Sequence, residues 1–212
     1  MGKNDLDIFV RVVIMSPMCT ILEKWEITET ELTQIVKENP SLRGFMMGYI
    51  AEHKVRKEIS SYKDISNIKK YDDHDRTHKG DISFIFNSKE YNIEVKSLQT
   101  NSVKHIQEET LEWSGKFQCD ASDRRTVPLP SGRKIETTCL LVGEFDIVAV
   151  NLFAFGGEWK YAYAKNNDLP HPKYRKSLKG LLEEDMQYLI ASTISITWPL
   201  SFPFTENLYD LL

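Results

Sequence analysis

The feature that most constrains this chain is a pair of alternating runs joined by a tight turn, His78 to Lys96. Ile82, Phe84 and Phe86 alternate with Ser83 and Ile85, Asn87-Ser88-Lys89 supplies the turn, and Tyr91, Ile93 and Val95 resume a period of two. Two strands folded back on each other bring their outer ends together, so Asp81 falls beside Glu94 across twelve intervening residues. Glu94 and Lys96, two apart on one strand, project to the same face. The pattern predicts two carboxylates and one ammonium converging at one end of a small sheet.

That constellation has a chemical use. Asp81 and Glu94 are hard oxygen donors of the kind Mg²⁺ takes together with water and substrate phosphate oxygens. Such an ion polarises a phosphoryl group and lowers the pKa of a bound water. Lys96 could orient the attacking water or neutralise charge developing on the phosphate. The competing reading is a solvated surface hairpin carrying a Glu–Lys pair. Against it stand the apolar alternate positions of Tyr91 to Val95 and the Gly80-Asp81 step ahead of the partner strand.

Gly80-Asp81, the short hairpin and Glu94-Val95-Lys96 resemble the PD-(D/E)xK nuclease superfamily, which includes many type II restriction endonucleases. Gly80 stands where the family's motif has proline. The resemblance implies an α/β fold with a restriction-endonuclease-like core, a central mixed β-sheet flanked by helices. It implies catalysis by Asp81, Glu94 and Lys96, with Mg²⁺, or Mn²⁺ in its place, on Asp81 and Glu94. The family often takes a further acid from a helix ahead of the hairpin, and Glu52 occupies the matching place, against the alternative of a solvated helical Glu. The implied reaction is hydrolysis of phosphodiester bonds in double-stranded DNA, most simply by a type II restriction endonuclease. A repair nuclease or junction resolvase would use the same chemistry, and a catalytically silent DNA-binding module is the alternative from another class. Palindromic sites would favour a homodimer.

A length of 212 residues is most economically one domain, with a helical part over 1–40, a catalytic core over 41–165 and a C-terminal helix, strand and tail over 166–212. No run approaches the roughly 18 apolar residues of a membrane span, and the first residues lack a signal-peptide pattern. Cys19, Cys119 and Cys139 are odd in number and form no C-x-x-C, which points to a reduced, cytoplasmic protein without a disulfide framework or zinc site. Cys119 and Cys139 read as small core residues.

A net charge of −4 is awkward for a protein that binds a polyanion, but the charge is segregated. Residues 181–212 carry five acids and no Lys or Arg, leaving +1 for the rest, and residues 160–179 hold six cations against Asp168. Lys173, Arg175 and Lys176 in that stretch are candidate phosphate contacts. Arg124 and Arg125 follow a polar loop and are candidates for reading base edges or clamping phosphates, unless Asp120 and Asp123 neutralise them.

Elsewhere the pattern predicts a helix over 26–38 with Thr28 or Thr30 as cap. A longer helix follows from Ser41 to about Ser60, burying Leu42, Phe45, Met46, Tyr49, Ile50 and Val55. Residues 61–79 read as a polar connection. Asp72, Asp73, His74, Asp75 and His78 lie within it and lack a ligand spacing. Further helices are expected over 103–113 and 178–190. A second hairpin should turn at Leu129 to Gly132, Phe145 to Phe153 should form a strand buried on both faces with Trp159 to Ala164 beside it, and Thr193 to Trp198 a late strand. Asp146 reads as a hydrogen-bonded turn residue rather than a ligand.

Overall fold

The computed structural model describes residues 20–71, 80–106, 111–173 and 180–212. The chain divides into two compact units, residues 1–44 and 45–212. In the first, α1 (Ile21–Lys24) and α2 (Glu29–Glu38) each begin at a capping box. Thr28 Oγ1 accepts from Glu31 N at 3.1 Å while the Glu31 carboxylate accepts from Thr28 N at 2.7 Å, so two orphan amides of the first turn are satisfied reciprocally. Neither helix buries a residue. α3 (Pro40–Ile59) starts with proline in its first turn, where a missing N–H costs nothing, and belongs to the second unit from Phe45 onward.

The second unit is built on a five-stranded mixed sheet in the order β1-β2-β3-β8-β9. β1 (Ile65–Lys70), β2 (Ile82–Phe86) and β3 (Lys89–Ser97) are antiparallel neighbours. β8 (Ile147–Asn151) runs parallel to β3, and β9 (Tyr161–Lys165) antiparallel to β8. An α/β fold with a central mixed sheet and a helix on its face is therefore present. Alternation along the strands divides the core. Ile147 and Ala149 of β8, Tyr161 and Tyr163 of β9 and Ile93 and Val95 of β3 pack with Ala51, Val55 and Ile59 of α3. Val148, Val150, Ala162 and Ala164 point to the other face, where they meet Phe117, Ile194 and Ile196. β8 is buried at every position, as the apolar run Ile147 to Val150 predicts, with the polar Asn151 buried at its end.

That second face is covered by another sheet, β4 (Lys104–His105), β5 (Trp113–Gln118) and β10 (Thr193–Trp198), in the order β10-β5-β4. The expected helix over 103–113 is overturned: Lys104 and His105 pair with Ser114 and Trp113 as strand. The late strand forms where expected, but in this sheet and not the central one. The second hairpin stands as a two-stranded ribbon, β6 (Asp120–Pro128) and β7 (Lys134–Cys139), joined through Leu129 to Arg133. The expected helix over 178–190 contracts to α4 (Glu183–Tyr188) among the described residues. The tail packs through buried Phe204 and Leu208, and Tyr91 Oη donates to the Leu212 carbonyl at 3.1 Å.

Two further expectations are corrected here. Part of the polar connection after α3 is an edge strand, β1. The stripe expected to bury α3 holds only in part: Val55 is buried and Met46 half-buried, but Leu42, Phe45, Tyr49 and Ile50 are exposed, and Ala51 and Ile59, four residues to either side of Val55, complete the packing face. Cys119 and Cys139 behave as small apolar residues, the first fully buried and the second partly so.

Candidate active site

The turn of the β2–β3 hairpin fixes everything beyond it. Asn87 and Ser88 take φ of 48° and 63°, the two left-handed positions of a two-residue turn whose twist matches antiparallel strands. Register then runs from Phe86 opposite Lys89 to Ile82 opposite Ile93, and one step further Asp81 lies beside Glu94. Asp81 N donates to the Ile93 carbonyl at 2.8 Å, extending the ladder past the end of the strand. Gly80 has a φ of +75°, and a Cβ there would stand 2.8 Å from the Ile93 oxygen. Proline, held near −65°, cannot occupy this position. Glycine here is a requirement of the bend that delivers Asp81.

Asp81 is half-buried, and its Oδ2 accepts from Val95 N at 2.7 Å. Withdrawal from water and the neighbouring Glu94 charge push its carboxyl up to about 7. The Val95 N–H and Lys96 pull the other way, and the Glu52 charge adds to the rise. Glu94 and Lys96 share a face of β3 as expected, with Lys96 Nζ 2.7 Å from Glu94 Oε1 and their side chains 19% and 14% exposed for Lys96 and Glu94. Lys96 Nζ also donates to the Asp120 carbonyl at 3.2 Å, at the junction of β5 and β6. Burial works against this ammonium, but attraction and hydrogen bonding from Glu94, with Asp81 adding, hold its pKa above the usual lysine range. It stays charged wherever the protein is folded.

Glu52, on α3, forms an ion pair with Lys70 at the end of β1, and the Lys70 ammonium lies 4.7 Å from the Tyr49 ring centroid. Its charge reaches Asp81, but its carboxylate is engaged by lysine. Among the described residues no group of three or more His, Cys, Asp or Glu side chains is gathered as a metal-ligand cluster. What converges is two carboxylates with unequal compensation: Glu94 is paired with Lys96, while Asp81 has one amide and a rising pKa. That donor set fits a hard divalent cation completing its shell with water and substrate oxygens. Burial pushes the neighbouring Cys119 thiol up to about 12, which keeps it protonated and unreactive.

Asp146 makes the hydrogen-bonded turn expected of it, accepting from Asn92 N at 2.8 Å while its own N–H donates to the Asn92 carbonyl. It borders a cavity of about 260 Å³ at the other end of β3, with Lys89, Lys165 and Asn166. Of the residues expected to meet nucleic acid, Arg124 is exposed on β6 and has no ion pair among the described residues. Arg125 is different. Its guanidinium makes a two-pronged contact with Glu144 and donates to the Cys139 carbonyl at 3.3 Å, so it ties the ribbon to the loop before β8. Neither Asp120 nor Asp123 is its partner in these contacts. Lys173 is exposed, whereas Arg175, Lys176 and the Asp72 to His78 group lie outside the described residues. Lys160 pairs with Glu158 at 2.7 Å.

Two residues near the site escape sequence reasoning. The Asp120 carbonyl anchors Lys96, and Lys70 neutralises Glu52; both depend on which strands become neighbours, which no local pattern reveals. No helix among the described residues is long and apolar enough to cross a membrane. No protein-family model matches the chain, and no curated protein or solved structure matches it either.

Proposed function

We propose that the chain is a Mg²⁺-dependent endonuclease with a restriction-endonuclease-like core, hydrolysing phosphodiester bonds of double-stranded DNA as a type II restriction enzyme does. The observation that carries this reading is the convergence of Asp81, Glu94 and Lys96 at one end of β2 and β3, with Asp81 lifted to about 7. A carboxylate with so little compensation beside a second one is a place where a cation lowers the energy of the ground state.

Asp81 and Glu94 would hold Mg²⁺, with Glu52 as a third acid once Lys70 releases it. The bound ion would supply polarisation of the phosphoryl group and a more acidic water. Lys96, permanently charged and fixed between Glu94 Oε1 and the Asp120 carbonyl, stabilises the negative charge that grows on the phosphate oxygens. Its two anchors keep the ammonium in one place, so little reorganisation is needed during reaction. The water oxygen bonds to phosphorus and gives up a proton to solvent as the bond to one sugar oxygen breaks, and the leaving oxygen takes a proton from solvent.

Arg124, exposed on the β6–β7 ribbon that starts at Asp120, would make base contacts, since a two-stranded ribbon fits the major groove. Arg125 supports the ribbon from behind through Glu144. The test is incubation of a mixed plasmid library with the protein and Mg²⁺, then sequencing of the ends. Ends clustered at one short sequence, absent in chelator and absent with Glu94→Gln, are expected. Intact plasmid throughout, with folded protein and Mg²⁺ or Mn²⁺ present, contradicts the proposal.

A further inference from the structure

Between the C-terminal half of α3 and β1 lies a cavity of about 350 Å³, lined by His53, Arg56, Lys57, Ser60 and Ile68. Glu52, Arg56 and Ser60 follow one another at four-residue steps and share one face of the helix. The cavity thus continues along α3 from the acid whose charge reaches Asp81. β1 runs beside it, with Lys70 bonded to Glu52 at one end and Ile68 forming part of the wall.

The charge here is concentrated and largely uncommitted. Residues 53–70 hold six Lys and Arg against Glu58 and Asp64. Glu58 accepts from the Tyr163 hydroxyl at 2.9 Å and the Tyr62 hydroxyl at 3.3 Å, which engages it with the core side of the helix. Lys70 is taken by Glu52, and Lys54 lies over the Trp159 ring at 4.8 Å. Arg56, half-buried, and Lys57, exposed, have no carboxylate partner among the described residues. Cations in the last turn of a helix also complement its dipole. That role requires neither a cavity nor alignment with Glu52. An arginine without a carboxylate beside open space has the donor geometry for a phosphate.

We propose that this cavity receives a backbone phosphate of the DNA strand near the one being hydrolysed, with Arg56 and Lys57 as its contacts. The proposal rests on the nuclease reading and extends it to a track for the substrate. Arg56 lies about 6 Å from Glu52 along the helix axis, a reach of about two nucleotides at ~3.4 Å of duplex axis each.

Binding of a short fluorescein-labelled duplex of random sequence, in Ca²⁺ and at several salt concentrations, tests it on the full chain. Arg56→Gln and Lys57→Gln should each weaken binding and reduce the salt slope by about 0.9, Arg56→Lys should restore the slope, and Lys63→Gln, outside the cavity, should leave it unchanged. Thermal melts check that every variant folds. Slopes and affinities equal to wild type in both glutamine variants overturn the proposal while leaving the nuclease reading intact. A lowered melting temperature without a change in slope overturns it too, because it assigns Arg56 to the helix dipole alone. Failure of the nuclease reading looks different: the wild type itself leaves the duplex unbound.

Discussion

Asp81 and Asp185 are two carboxylates drawn out of water whose surroundings drive them in opposite directions. Burial raises the Asp185 carboxyl, but Oδ1 accepts from Ser131 N at 3.0 Å, and Oδ2 from Ser131 Oγ at 2.8 Å and Leu182 N at 3.3 Å. With Arg133 adding, the balance falls below the usual carboxylate range. Asp185 joins the ribbon turn to α4 and leaves nothing unmet. Asp81 has one donor, Val95 N, and a second carboxylate beside it, and its pKa climbs to about 7. The first acid belongs to the fold. The second carries charge that the Val95 amide and Lys96 compensate only in part.

The largest effects should come from breaking the uncompensated side. Asp81→Asn and Glu94→Gln are each expected to reduce DNA cleavage about a thousandfold or more, and Lys96→Ala by about a hundredfold or more. Duplex binding in Ca²⁺ should survive the lysine change. Asp185→Asn should leave the turnover of whatever protein remains folded near that of wild type. Single-turnover cleavage assays at matched folded concentrations separate the two acids; equal losses at both would erase the distinction.

Stability against pH sharpens the same contrast. In the unfolded chain Asp81 titrates near its ordinary 3.8, and in the folded one near 7. Between these values the folded state holds the extra proton, so the penalty for Asp81 grows as pH rises from about 4 to about 7 and is complete above it. Asp81→Asn should therefore gain on wild type across this window, most at the alkaline end without metal. Asp185, with its depressed pKa, contributes stability above its unfolded pKa and loses it as pH falls. Asp185→Asn should lie below wild type at neutral pH and converge with it in acid. Urea melts at several pH values check both directions.

A smaller effect distinguishes the two arginines. Arg124→Ala should cost roughly 1–3 kcal/mol on the preferred DNA site and relax its specificity, with an unchanged melting temperature. Arg125→Ala should instead lower the melting temperature, because Glu144 loses its partner in a half-buried place. Competition binding and thermal melts on the same preparations would show a reversal if the assignment is wrong.

How far these features are legible in sequence depends on how local their causes are. The hairpin is local: alternation and a two-residue turn fix the register, and the register brings Asp81 to Glu94. The burial of β8 is visible for the same reason, as the apolar run Ile147 to Val150. β1 is hidden because the pairing slips between Ser66 and Lys69, with Asn67 at a φ of 52°, which spoils the period of two. In α3 the bulkier apolar residues, Phe45 and Tyr49, are exposed, while the modest Ala51-Val55-Ile59 stripe faces the sheet. The Arg125–Glu144 pair and the Lys96–Asp120 anchor join residues nineteen and twenty-four apart, and only the completed sheets bring them together.

The most direct measurement is a calorimetric titration of Mn²⁺ into the wild type, Asp81→Asn and Asp185→Asn at a pH above 7, where Asp81 is ionised in the free protein. The account predicts saturable binding to the wild type, loss of that binding in Asp81→Asn, and an isotherm for folded Asp185→Asn that overlays the wild type. Undiminished Mn²⁺ binding in Asp81→Asn would contradict it.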